Sequence, residues 1–107
     1  MKNPKPGEVY KVDLGYEGKV RPMIIVSRFD SDAPRALVLA VPITSQFRKS
    51  EYEVELGAYK FLSKKSYVNV QGLQSLAYHE LQNFIGKIGE RALDEIKMTL
   101  AYILDLD

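Results

Sequence analysis

Polar and apolar residues alternate along Glu8-Val9-Tyr10-Lys11-Val12-Asp13-Leu14, which is the period of a strand with one wet face. Pro4, Pro6 and Gly7 precede it and exclude a helix there. Gly15 to Val20, interrupted by Gly15 and Gly18, predicts a loop. Met23-Ile24-Ile25-Val26 is continuously apolar and predicts a strand buried on both faces. Asp30 to Pro34 reads as a polar turn, and Arg35 to Val41 as a second buried strand that Pro42 stops. Tyr52 to Leu56 and Ser66 to Val70 alternate again, with the Lys64-Lys65 pair expected at a hairpin turn. The period then changes. Leu93, Ile96, Leu100 and Ile103 share one helical face, while Arg91, Asp94, Glu95 and Lys97 fall elsewhere on the wheel. Gly89 precedes this run and Glu90 sits in its first turn, favourable against the helix dipole. The expectation is a single domain over residues 1–107, mainly β with a C-terminal α-helix from Glu90 to Leu104. Short strands closed by one helix suggest a small barrel, and the pattern alone does not separate an SH3-like barrel from an OB-like one.

Composition narrows the function classes. Of 107 residues, 46% are hydrophobic and 27% charged, the balance of a globular chain. A net charge of +1 excludes a large uniform footprint for duplex nucleic acid but leaves room for a local basic groove. Lys5, Lys11, Lys19, Arg28, Arg48 and Lys49 make the first half somewhat basic. The absence of cysteine removes disulfides, thiolate nucleophiles and cysteine metal sites, and a single histidine leaves a poor ligand set for a transition metal. No phosphate-binding loop of Walker type and no dinucleotide glycine fingerprint occurs. No stretch has signal-peptide character or the length of a membrane span, so a cytoplasmic protein is expected.

Few residues invite chemistry. Arg21 stands where the glycine-containing loop enters the apolar strand. Pro22 biases it towards an extended backbone, and its fork of donors suits a phosphate. Thr44, Ser45 and Gln46 follow the next strand and could hold phosphate oxygens through hydroxyls and N–H groups. Glu17 is a possible general base and Lys19 a possible phosphate contact, while Tyr16 and Phe47 could stack on unpaired bases. Each has an ordinary alternative: a solvated charge, a capped turn, or an aromatic ring in the core. His79, with no second histidine and no motif around it, reads as a surface or edge residue.

Taken in order, Pro6-Gly7-Glu8-Val9-Tyr10-Lys11-Val12-Asp13-Leu14, then Val20-Arg21-Pro22, then Val41-Pro42-Ile43-Thr44-Ser45 resemble the MazF/PemK family of toxin endoribonucleases. The resemblance runs over roughly the first half, with a looser match in a late strand near Phe84-Ile85-Gly86-Lys87 and the closing helix. It implies an SH3-like barrel, a homodimer and metal-independent cleavage of single-stranded RNA without a cofactor. The ends formed would be a 2′,3′-cyclic phosphate and a 5′-hydroxyl. It also implies a cognate antitoxin lying over the RNA site. Arg21 matches the family arginine, Thr44 the family threonine and Glu17 the loop glutamate of several members. Arg21 would neutralise the phosphorane or protonate the leaving oxygen, Thr44 with Ser45 and Gln46 would hold non-bridging oxygens, and Glu17 would be the base.

One departure stands out. Many members carry an Arg-Ser/Thr-Ile/Leu-Asp segment where this chain has Gln74-Ser75-Leu76-Ala77, so both charged groups are absent. That leaves a second reading, a non-catalytic member of the same fold that binds RNA or protein, as gyrase-inhibiting relatives do.

Overall fold

The structure, a computed structural model, describes residues 3–13 and 20–106. Its elements are β1 (Glu8–Asp13), β2 (Val20–Ile25), β3 (Leu37–Thr44), β4 (Glu53–Glu55), β5 (Tyr67–Asn69), β6 (Gln74–Ala77), β7 (Leu81–Lys87) and α1 (Glu90–Ile103). Short 3-10 turns at Val70–Gly72 and Tyr78–Glu80 flank β6. The strands form one antiparallel sheet in the order β4-β5-β3-β2-β1-β7, with β6 also on β3. Thus β3 has β2 along one edge, while its other edge is divided. Leu37–Ala40 pairs with β6, and Ile43–Thr44 pairs with β5.

Strand alternation produces two apolar clusters, one on each face of the central strands. Val9, Ile24, Val41, Ile43, Val54 and Val68 lie on the face that α1 covers with Ile96, Leu93 and Leu100. Tyr10, Val12, Met23, Ile25, Val38 and Ala40 lie on the opposite face, with Leu76 of β6 and Leu81 of β7. Met23, Ile24 and Ile25 are all fully buried, which is the physical meaning of the unbroken apolar run. Each such side chain contributes about 1.5–3 kcal/mol of burial.

The second cluster shows how the sheet curls. β6 and β7 are the outer strands of the run β6-β3-β2-β1-β7, yet Leu76 and Leu81 meet in one cluster. Among the described residues no ladder joins those two strands. The fold is mainly β with a C-terminal helix, as expected, and the small barrel takes the form of a curled sheet that does not close.

Three local expectations also change. Pro42 does not stop its strand, which runs on to Thr44. The Leu39 N–H donates to Ser27 Oγ and its carbonyl accepts from Val26, so both face the β2 edge. Alternation turns the nitrogen of Pro42 to the other edge, in the gap between β6 and β5, where no ladder bond is lost. Second, the strand is not buried throughout, since Leu37 and Leu39 are 45% and 43% exposed. Third, Lys64 and Lys65 belong to a long connection over residues 56–66, not a tight hairpin.

Candidate functional site

The hairpin registers decide where the chemistry-bearing side chains go. Arg21 pairs with Val12, and its alternate neighbour Met23 pairs with Tyr10, so Arg21 shares the face of the second cluster. Thr44 pairs with Tyr67, while its neighbour Ile43 pairs with Val68 beneath the helix, so Thr44 shares that same face. Met23 stands opposite Pro42. Continued for two residues, this register sets Arg21 against Thr44 at the end of the sheet where the cluster gives way to solvent. Arg21 is exposed and Thr44 half-buried.

Both residues line two cavities. One, of about 310 Å³, is formed by Arg21, Pro42, Thr44, Asn69, Gly72 and Gln74. A methyl group on Gly72 would press on the Pro42 ring and the Asn69 amide, so only glycine lets the 3-10 turn approach this closely. The other, of about 390 Å³, adds Lys11 and Ser45 from the sheet side and Ser63, Lys64 and Ser66 from the 56–66 connection. That connection is held in place by Phe61, whose ring lies where a β-carbon on Gly86 would stand, and by the Gly89 N–H donating to the Tyr59 hydroxyl at 3.0 Å.

Hydrogen bonding leaves the central groups available. The Gln46 N–H donates to Thr44 Oγ1 at 3.1 Å, which orients the hydroxyl and leaves its proton for an outside acceptor. Glu53 organises the next segment. Its carboxylate accepts from the Ser50 N–H and Oγ at 3.1 Å and from the Arg48 N–H at 3.2 Å. Desolvation pushes the Glu53 carboxyl up, but the Ser50 and Arg48 backbone donors, the Ser50 hydroxyl and the Arg48 charge outweigh it, and its pKa lies below the ordinary value. Lys49 takes a left-handed backbone, φ 55°, within this tight turn.

Of the sequence-based candidates, the structure brings Arg21, Thr44 and Ser45 to one surface. Gln46 lines an adjoining cleft that Thr44 also borders. Phe47 stacks on Tyr67, ring centroids 4.4 Å apart and nearly parallel, so one of its faces is already taken. Tyr16, Glu17 and Lys19 lie outside the described residues. His79 is exposed in the turn before β7. Among the described residues no cluster of three or more His, Cys, Asp or Glu could hold a metal ion.

Several lining residues escaped the sequence reading. Lys11 stands opposite Pro22, in phase with Val9 and on the face opposite Arg21, so its strand pattern gave no sign that it reaches the larger cavity at the end of the sheet. Lys64, Ser63 and Asn69 carry no local signal, because only the tertiary fold brings them here. Of the two departures noted earlier, Gln74 faces the Arg21 cavity, whereas Ala77 lies opposite Leu37 on the other face of the sheet, about 10 Å along the strand.

Residues 5–104 match the model of the PemK-like, MazF-like toxins of type II toxin–antitoxin systems. The chain is 33% identical to "Endoribonuclease MazF1" of Mycobacterium bovis over 99% of its own length and 97% of that protein's. "Endoribonuclease MazF4" of Mycobacterium tuberculosis is similar to the same degree and extent. Among solved structures, a mycobacterial endoribonuclease in complex with its cognate antitoxin superposes with a TM-score of 0.85 at 32% identity, over 97% of each chain. A MazF from Deinococcus radiodurans, 21% identical, shares the fold with a TM-score of 0.82 over 98% of this chain and 99% of its own.

Proposed function

Because this chain belongs to the PemK-like, MazF-like toxins of type II toxin–antitoxin systems, we propose that it is an endoribonuclease toxin that cuts single-stranded RNA. A cognate antitoxin neutralises it, as the complex of a similar mycobacterial endoribonuclease suggests. Two copies pair as a homodimer, and the protein works in the cytoplasm. No helix among the described residues is long and apolar enough to cross a membrane. The non-catalytic alternative is not favoured, since the similar proteins are endoribonucleases.

The observation that carries this reading is the juxtaposition of Arg21 and Thr44 on one face, around shared cavities. The nucleophile is the substrate's own 2′-hydroxyl. Its oxygen attacks the adjacent phosphorus, the bond to the 5′-oxygen breaks, and the products are a 2′,3′-cyclic phosphate and a 5′-hydroxyl. Glu17 is assigned as the base that takes the 2′ proton, on the resemblance alone. Charge accumulates on the phosphorane oxygens, and the Arg21 guanidinium, carried at the end of β2, stabilises it. Arg21 also assists the proton reaching the leaving oxygen. Thr44 donates its free hydroxyl proton to a non-bridging oxygen, with Ser45 and Gln46 alongside. Lys11 and Lys64, with Lys19, track the neighbouring phosphates. Tyr16 and the outer face of Phe47 offer stacking platforms for bases.

The test is a long single-stranded RNA incubated with purified protein in excess chelator. Discrete fragments whose 5′ ends accept a kinase label without prior phosphatase treatment are expected. Intact RNA, or fragments with 5′-phosphates, would refute the reading.

A further inference from the structure

Positive charge is concentrated in the larger cavity, although the net charge of the chain is only +1. Lys11, Arg21 and Lys64 line it, and among the described residues no Asp or Glu does. Lys64 and Lys65 are adjacent in the 56–66 connection but differ in their surroundings. Lys65 lies 3.6 Å from the Glu55 carboxylate and borders only the cavity behind the connection. Lys64 has no ion pair among the described residues, and it also borders the cavity that holds Arg21 and Thr44. The next residue, Ser66, is the buried polar side chain among the described residues, 6% exposed. Its hydroxyl donates to the Lys64 carbonyl at 2.8 Å, and its own carbonyl accepts from the Leu56 N–H at 3.0 Å. A buried hydroxyl needs a partner. Here that partner is the backbone from which the Lys64 side chain springs, so the backbone is held while the ammonium keeps its donors. Tyr59, Phe61 and Leu62 pack on the helix-side core, so the connection reaches the end of the sheet from the side opposite Arg21.

We infer that Lys64 binds the phosphate next to the scissile one, and that Ser66 is the positioning residue that holds Lys64 to this task. The inference rests on the endoribonuclease reading. Arg21 and Thr44 border both cavities, so a strand whose phosphate they hold runs on into the larger one. Two cations from separate parts of the fold then grip successive phosphates, Arg21 from the end of β2 and Lys64 from the connection. A contact to the backbone carries no base information, so Lys64 acts on every sequence alike.

The experiment maps a cut on a long single-stranded RNA and then uses a short RNA spanning it, with the flanking phosphates replaced one at a time by neutral methylphosphonates. For the full wild-type chain, one replacement next to the cut should raise KM about fivefold with little change in kcat. Lys64→Ala should raise KM to the same extent on the unmodified RNA and should no longer sense that methylphosphonate. It should also lower the slope of log KM against log salt by about 0.7, the share of one phosphate contact on a single strand. Lys64→Arg should keep the parental KM, and so should Lys65→Ala. Ser66→Ala should raise KM in the wild-type background and add nothing in Lys64→Ala, a coupling that loss of packing alone does not produce. Should Ser66→Ala fail to fold, Ser66→Cys, similar in size but a weak donor, reads the same coupling. A Lys64→Ala chain with parental KM and salt slope, or one still sensitive to every methylphosphonate, would overturn the inference. A Ser66 effect that persists in Lys64→Ala would overturn the positioning role alone. RNA left intact by the wild-type chain would overturn the endoribonuclease reading and this inference with it.

Discussion

The two ends of the β2–β3 pair are built from the same backbone ladder and serve opposite ends. At Ile24–Ile25 and Ala40–Val41 every side chain is fully buried, those of one face under α1 and those of the other in the curl of the sheet. A few residues along, the same strands present an exposed Arg21 and a half-buried Thr44. The packed end sets the register, and the register aims the polar end. A slip of one residue would move every side chain to the opposite face, placing Arg21 on the helix side and Ile24 in the curl. The face of the sheet on which Arg21 stands is therefore set by apolar residues of the packed end.

Substitutions at the two ends should separate accordingly. Ile24→Ala, at the packed end, should lower stability by about 2–5 kcal/mol, read from the shift in denaturant midpoint. A loss below about 1 kcal/mol would show that this end does not organise the sheet. Arg21→Ala, at the open end, should slow RNA cleavage by about 10²–10³-fold. Its unfolding midpoint should stay within about 0.5 kcal/mol of the parent. Cleavage as fast as the parent's would remove the guanidinium from the mechanism.

The smallest effect concerns the polar rim. The folded pKa of Glu53 is depressed, so its contribution to holding residues 48–53 together is present above the unfolded pKa. That contribution is lost as pH falls through the folded value. The amide resonances of Arg48 and Ser50 should titrate together, with a midpoint below the ordinary range for glutamate. A midpoint at or above that range would show that these donors do not grip the carboxylate, and Glu53→Gln should abolish the titration.

This contrast also explains what could be read from the chain. The packed end was legible because two-sided burial writes itself as an unbroken run, Met23 to Val26, and the helix because Leu93, Ile96, Leu100 and Ile103 keep a helical period. Arg21 and Thr44 were found through the order of short motifs around them. Pro42 misled, because its effect depends on which strand edge its nitrogen faces, and that is settled by the distant partners β5 and β6. β6 itself went unrecognised, since Gln74-Ser75-Leu76-Ala77 has too few apolar residues to announce a strand before its pairing with β3 is known. The walls of the cavities come from residues 61–74, far along the chain, and no local pattern predicts such an encounter.

The ring of Phe61 resting on Gly86 carries a consequence of its own. One flank of the larger cavity belongs to the β4–β5 connection by covalent bonds but to β7 by contact, so the width of the groove is governed by a single missing methyl. Any side chain acquired at position 86 would prise that flank outward, leaving the guanidinium and threonine in place. Descendants of this chain could thus retune how broad a strand they accept by changing one codon remote from the chemistry.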